Sequence, residues 1–141
     1  MIKRLPILIF IFLVFYIYLK DEVFPKDDLK IGVSLPKTGI IKTWGESVQT
    51  GVNAYFKYAN DMNLLGDKKV KLIVYDDKYE PELTLENTNK LIYNDDAFAL
   101  FGFVGTPTVK NILPVIHDEQ IPFFGSFTGA SFLRDSKYNN F

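Results

Sequence analysis

GFVGTPTVKNILPVIHDEQIPFFGSFTG, residues Gly102 to Gly129, reads as a strand end, a turn, a helix, a second strand and a second turn. The residues that lead into it, Phe98 to Phe103, form a continuous apolar run, as expected of a parallel strand buried on both faces. Between Pro107 and Asp118, Val109, Ile112, Leu113 and Ile116 recur at helical spacing, with Pro114 expected to bend the helix or delay its regular start. Ile121 to Gly125 is the second strand, and Ser126 to Gly129 the turn after it. In a parallel sheet both turns emerge at the same edge, so their N–H groups and hydroxyls converge on one small ligand.

The chain before this stretch repeats the alternation. Leu29 to Leu35 alternates as a strand and is ended by Pro36, and a loop holding Gly39 runs from Pro36 to Trp44. From Gly45, Val48, Val52, Tyr55, Phe56, Ala59 and Met62 mark one helix face. Val70 to Tyr75 is a β-branched strand, Asp76 to Pro81 a turn, and Pro81 to Asn94 a helix with Leu85, Thr88, Leu91 and Ile92 on one stripe. Four strands alternating with three helices predict an α/β fold, a doubly wound parallel sheet with right-handed crossovers. Ser131 to Phe141 holds no element that closes the core, so the lobe over residues 29–141 is expected to be incomplete and to continue in further strands and helices.

Composition narrows the classes of function. The 141 residues are 48% apolar and carry 16 basic and 17 acidic side chains, a balance without the electrostatic footprint of a nucleic-acid binder. The absence of cysteine excludes disulfides, thiolate metal sites and a cysteine nucleophile. At the N-terminus, Lys3 and Arg4 precede the apolar run Leu5 to Leu19, the pattern of a signal peptide or signal anchor over residues 1–20, followed by a charged linker at 21–28. No small-residue cleavage site follows the run, which favours an uncleaved anchor with Tyr16 and Tyr18 at the interface. With the two cations held inside, the rest of the chain is expected in the periplasm or on the periplasmic face of the inner membrane.

Each motif has a functional and a structural reading. Gly102, Gly105, Thr106 and Thr108 sit between a strand and a helix, where free N–H groups favour an anion such as a carboxylate; the alternative is a permissive turn with Thr106 or Thr108 as a helix cap. The pattern is neither a dinucleotide fingerprint nor a Walker loop, so no nucleotide cofactor is expected. Phe127, Thr128 and Gly129 lie on the second turn, and Trp44 is either an aromatic wall at the same edge or a rim or core residue. Asp76 and Asp77 read as a solvated loop or cap, since no third ligand stands near them for a metal. His117 reads as a surface histidine near a helix C-terminus, and Phe98, Phe101, Phe123 and Phe124 as core. No catalytic group is defined, and the chain is not expected to be an enzyme.

The ordered motifs Lys30 to Leu35 with Gly39, Trp44-Gly45, Gly51, Val74 to Asp77, Gly102 to Thr108 and Ile121 to Ala130 resemble the leucine/isoleucine/valine-binding type of periplasmic solute-binding protein. The resemblance covers about residues 29–135. It implies the Rossmann-like first lobe of a two-lobed protein that closes over an amino acid or related carboxylate, as the substrate-binding component of an ABC transporter with a permease partner. It also implies ligand contacts at Gly105 and Thr106 on the carboxylate-binding loop, at Phe127, Thr128 and Gly129 on the second polar loop, and at Trp44 as the covering aromatic. Phe127 and Gly129 depart from the small or hydroxyl residues of many members. The other function the anchor allows is the sensory ectodomain of a membrane-bound signalling protein, of the histidine kinase or diguanylate cyclase type.

Overall fold

The strand β1 (Leu29–Leu35) pairs in parallel along its whole length with β2 (Val70–Asp76), from Leu29 opposite Val70 to Leu35 opposite Asp76. The computed structural model describes residues 28–134; the apolar N-terminal run, the signal or anchor segment read there, and the tail from 135 lie outside the described residues. β3 (Ala99–Phe101) pairs on the other side of β1, and β4 (Phe123–Phe124) pairs with β3, so the sheet is parallel throughout in the order β2-β1-β3-β4. The helices are α1 (Lys42–Asp61), α2 (Pro81–Tyr93) and α3 (Thr106–Glu119), with a short 3-10 turn at Ser131–Arg134. Chain order reverses direction across the sheet at β1, and right-handed crossovers therefore place α1 on one face and α2 and α3 on the other. This is the expected α/β doubly wound parallel sheet.

The strand alternation of β1 divides its side chains between the two helix layers. Gly32 and Ser34 face α2: the space where a Gly32 side chain would stand is filled by Leu91, and Ser34 meets Asn87. The largest buried side chains, Phe103, Phe123, Leu35, Leu91, Leu100, Ile112 and Ile116, bring β1, β3, β4, α2 and α3 into one core. Thr84, Asn87 and Thr88 on α2 are buried beside it; Thr84 and Thr88 bond back to carbonyls one turn earlier, Glu80 O and Thr84 O. Burying these side chains costs little because their polar atoms are satisfied.

Several local expectations need correction. α1 starts at Lys42, and Trp44 therefore stands in its first turn and not in the preceding loop. Gly45 explains the early start: a side chain there would collide with the Pro36 carbonyl, so its absence lets the helix press onto the end of β1. α3 is one helix through Pro114, flanked by buried Ile112, Leu113 and Ile116, whose packing holds the turn that the missing N–H weakens. Phe98 and Phe124, read as core, are 61% and 48% exposed, and Tyr55 and Met62 on the expected inner stripe of α1 are exposed as well. The cause is common to the first three: α1 lies over β1 and β2, while the same face of β3 and β4 has no helix over it among the described residues.

Candidate functional site

The site is built where the strands end. β3 passes through Phe103 and Val104 into Gly105, and Val104 bridges to Phe127, so the turns after β3 and β4 run side by side. Two further backbone bonds lock them together: Phe127 N–H donates to Phe103 O at 2.8 Å and Gly105 N–H donates to Phe127 O at 3.2 Å. The outcome is a hydroxyl pair, Thr106 Oγ1 and Thr128 Oγ1, at 2.7 Å. Thr128 Oγ1 also accepts the Ala130 N–H at 3.2 Å, which fixes its orientation from the chain beyond.

Neither threonine of the first turn caps α3. The N-cap residue is Gly105, with φ 103° and ψ 148°, a conformation open to glycine and strained for residues with a side chain, and no side-chain cap is present. Thr108 instead turns inward, donating to Val104 O at 2.6 Å and Gly105 O at 2.8 Å from a fully buried position. Thr106 is left exposed, beside first-turn N–H groups that no side-chain cap among the described residues satisfies. This arrangement suits an anionic group, because both the dipole of α3 and its unsatisfied N–H groups favour negative charge there.

The first turn of α1 brings the apolar half. The Trp44 ring meets the Phe127 ring edge-on, centroids 5.5 Å apart and planes at 76°. Both rings are about half exposed, 54% and 53%, so they form an open aromatic wall at the rim and not a core contact. Of the residues singled out in the sequence, Trp44, Gly105, Thr106, Phe127 and Thr128 are thus gathered at one edge. Gly129 follows in the same turn, exposed, with open space where its side chain would stand.

The loop after β2 also reaches this edge, through residues that the sequence does not mark as part of a site. Of the two readings of Asp76 and Asp77, a solvated loop or a cap, the cap holds: both carboxylates accept N–H groups of the turn, and Asp77 is not solvated. Asp77 is fully buried: Ser34 Oγ donates to its Oδ2 at 2.9 Å and the Tyr79 N–H to its Oδ1 at 2.9 Å. Burial pushes its carboxyl above the usual range, against the pull of the Tyr79, Ser34 and Thr84 hydrogen bonds, and the neighbouring Asp76 charge adds to the rise. Asp76 is the reverse case. Burial works upward on it too, but the Thr38 hydroxyl and the N–H groups of Lys78, Lys37 and Thr38 together hold it below the usual range. Its role is to tie the turn after β1 to the end of β2. The signal in the sequence was the adjacency of two carboxylates at a strand end; which one turned inward was not written there.

Among the described residues no group of His, Cys, Asp and Glu has the arrangement of a metal site, and no helix is long and apolar enough to cross a membrane. The sequence model of a family described as periplasmic binding protein matches residues 28–141. An amino acid binding protein of Pseudomonas aeruginosa is 31% identical over 83 residues, which are 58% of this chain and 22% of that protein. The crystal structure of a possible leucine/isoleucine/valine-binding protein from Rhodopirellula baltica superposes with a TM-score of 0.77 at 38% identity, over 80% of this chain and 31% of that one. An ABC transporter solute binding protein from Rhodopseudomonas palustris, solved with 3,4-dihydroxybenzoic acid, superposes with a TM-score of 0.66 at 26% identity, over 75% of this chain and 29% of that one. The chain therefore spans less than a third of the length of these relatives. It shares their α/β lobe, and with the match over residues 28–141 it belongs to the periplasmic binding protein family, whose members bind solutes and are not enzymes.

Proposed function

We propose that this chain supplies one ligand-binding lobe of an extracytoplasmic solute-binding protein that feeds an ABC permease, and that its ligand is a small carboxylate, an amino acid or an aromatic acid. One observation carries the reading: the Thr106–Thr128 hydroxyl pair and the Trp44–Phe127 ring pair meet at the same sheet edge, drawn from three separate turns. Thr106 and the N-terminus of α3 take the carboxylate; Trp44 and Phe127 take the apolar body; Gly105 keeps the turn open, and Gly129 leaves room beside Thr128. Residues 1–20 direct the chain across the membrane or hold it there, and 29–141 form the lobe. A second lobe closing over the same edge completes the enclosure, because the half-exposed rings lose water only when covered.

The test is calorimetric titration of the full-length protein with L-leucine and with 3,4-dihydroxybenzoate. Saturable binding of at least one is expected, and Thr106→Val is expected to weaken it roughly tenfold, as for a lost hydrogen bond to a charged group. Binding that is indifferent to both Thr106→Val and Trp44→Ala would move the ligand elsewhere on the protein.

A further inference from the structure

The turn after β2 also reaches the edge. Lys78 and Tyr79 both lie in the left-handed region, with φ 54° and 68°, a conformation that bulky side chains seldom adopt and that two carboxylates enforce here. Asp76 Oδ1 accepts the Lys78 N–H at 3.0 Å, and Asp77 Oδ1 accepts the Tyr79 N–H at 2.9 Å. Asp77 is in turn held from below: Asn87 Nδ2 donates to Ser34 Oγ at 3.1 Å, and Ser34 Oγ donates to Asp77 Oδ2 at 2.9 Å. Every member of this chain from Asn87 to Asp77 is buried.

What the chain positions is the Tyr79 ring. It lies over Gly105, in the space a side chain at 105 would need, with Oη 2.9 Å from where that Cβ would stand. The hydroxyl thus lies beside the residue that precedes Thr106, on a residue that is only partly buried, and no hydrogen bond joins it to a partner among the described residues. Tyr75 Oη donates to Asp95 and Tyr93 Oη to Glu119, while Tyr55 and Tyr58 stand exposed on α1. A phenol whose backbone is held in an unfavourable conformation by a buried carboxylate, and whose polar tip stands over Gly105, one residue before Thr106, is placed for a partner that comes from outside.

We infer that Tyr79 is a ligand-contacting residue of this site, its hydroxyl donating to the ligand carboxylate beside Thr106, with Asp77 as the positioning residue that aims it. The inference rests on the carboxylate-binding reading above. With Tyr79, all four strand ends of the lobe contribute to one site, through Trp44, Tyr79, Thr106 and Thr128.

The experiment titrates the full-length protein with benzoate and benzamide, and with L-leucine and L-leucinamide, in wild type, Tyr79→Phe and Thr106→Val. The wild type prefers the acid of at least one pair. Tyr79→Phe removes only the hydroxyl, and its expected result is a roughly tenfold loss for the acid and little change for the amide, at an unchanged unfolding midpoint. Loss of acid preference in Thr106→Val with full retention in Tyr79→Phe overturns the role of Tyr79 and leaves the site reading standing. Retention in both variants, or no acid preference in the wild type, overturns both.

Discussion

At the scale of single residues, Asp77 links the fold to the site. Its carboxyl is held above the usual range by burial, so the folded protein binds that proton more tightly than the unfolded chain does. The stabilisation it gives is fully present below the unfolded value of about 3.9 and is lost as pH rises through the elevated value. Asp76, held low, contributes with the opposite sign: its share is present above the usual carboxylate range and is lost as pH falls through its depressed value. The expected outcome for Asp77→Asn is a flatter dependence of unfolding free energy on pH just above the usual carboxylate range, read from urea midpoints at a series of pH values. An unchanged slope would mean that the Asp77 carboxyl does not titrate abnormally. The sequence showed two adjacent aspartates and nothing to tell them apart; they differ because strand pleating sends one beneath α2 and leaves the other at the rim, tied to Thr38.

At the scale of elements, the strands and helices were legible wherever side-chain period and length agreed. β1 and β2 are both seven residues and match their alternating or β-branched runs. β4 is two residues, shorter than the Ile121 to Gly125 run, since pairing with β3 spans only Phe123 and Phe124. Trp44 stands in α1 and not in the loop that periodicity suggests, because helix starts are set by fit, here the approach of Gly45 to Pro36. α3 carries a cost of its own: Pro114 leaves the Lys110 carbonyl without its helical donor. Pro114 is exposed, so Pro114→Ala removes no core volume, and it is expected to stabilise the lobe by about 1–3 kcal/mol in chemical denaturation.

At the scale of the molecule, the described residues cover one face of the sheet well and the other only in part. α2 and α3 bury the first face, but on the second Phe98 and Phe124 join Tyr55, Leu64 and Leu65 in an exposed apolar groove. The expected outcome is that the 141-residue chain on its own binds a dye for apolar surface. Phe124→Thr is expected to lower that binding while changing unfolding free energy by less than about 0.5 kcal/mol, since the side chain is half exposed in the outer strand of the described sheet.

The sequence by itself determined the α/β class, the order of its elements, the family resemblance and the turns from which Thr106 and Thr128 come. These follow from periodicity, strand ends and turn residues, all local in the chain. Only the tertiary structure decided that Thr106 meets Thr128 at 2.7 Å, that Trp44 meets Phe127, and that Tyr79 comes to lie over Gly105. Each of those contacts joins residues at least 22 positions apart in the chain. Sheet order brings them to one edge, and periodicity within an element carries no information about which strands become neighbours.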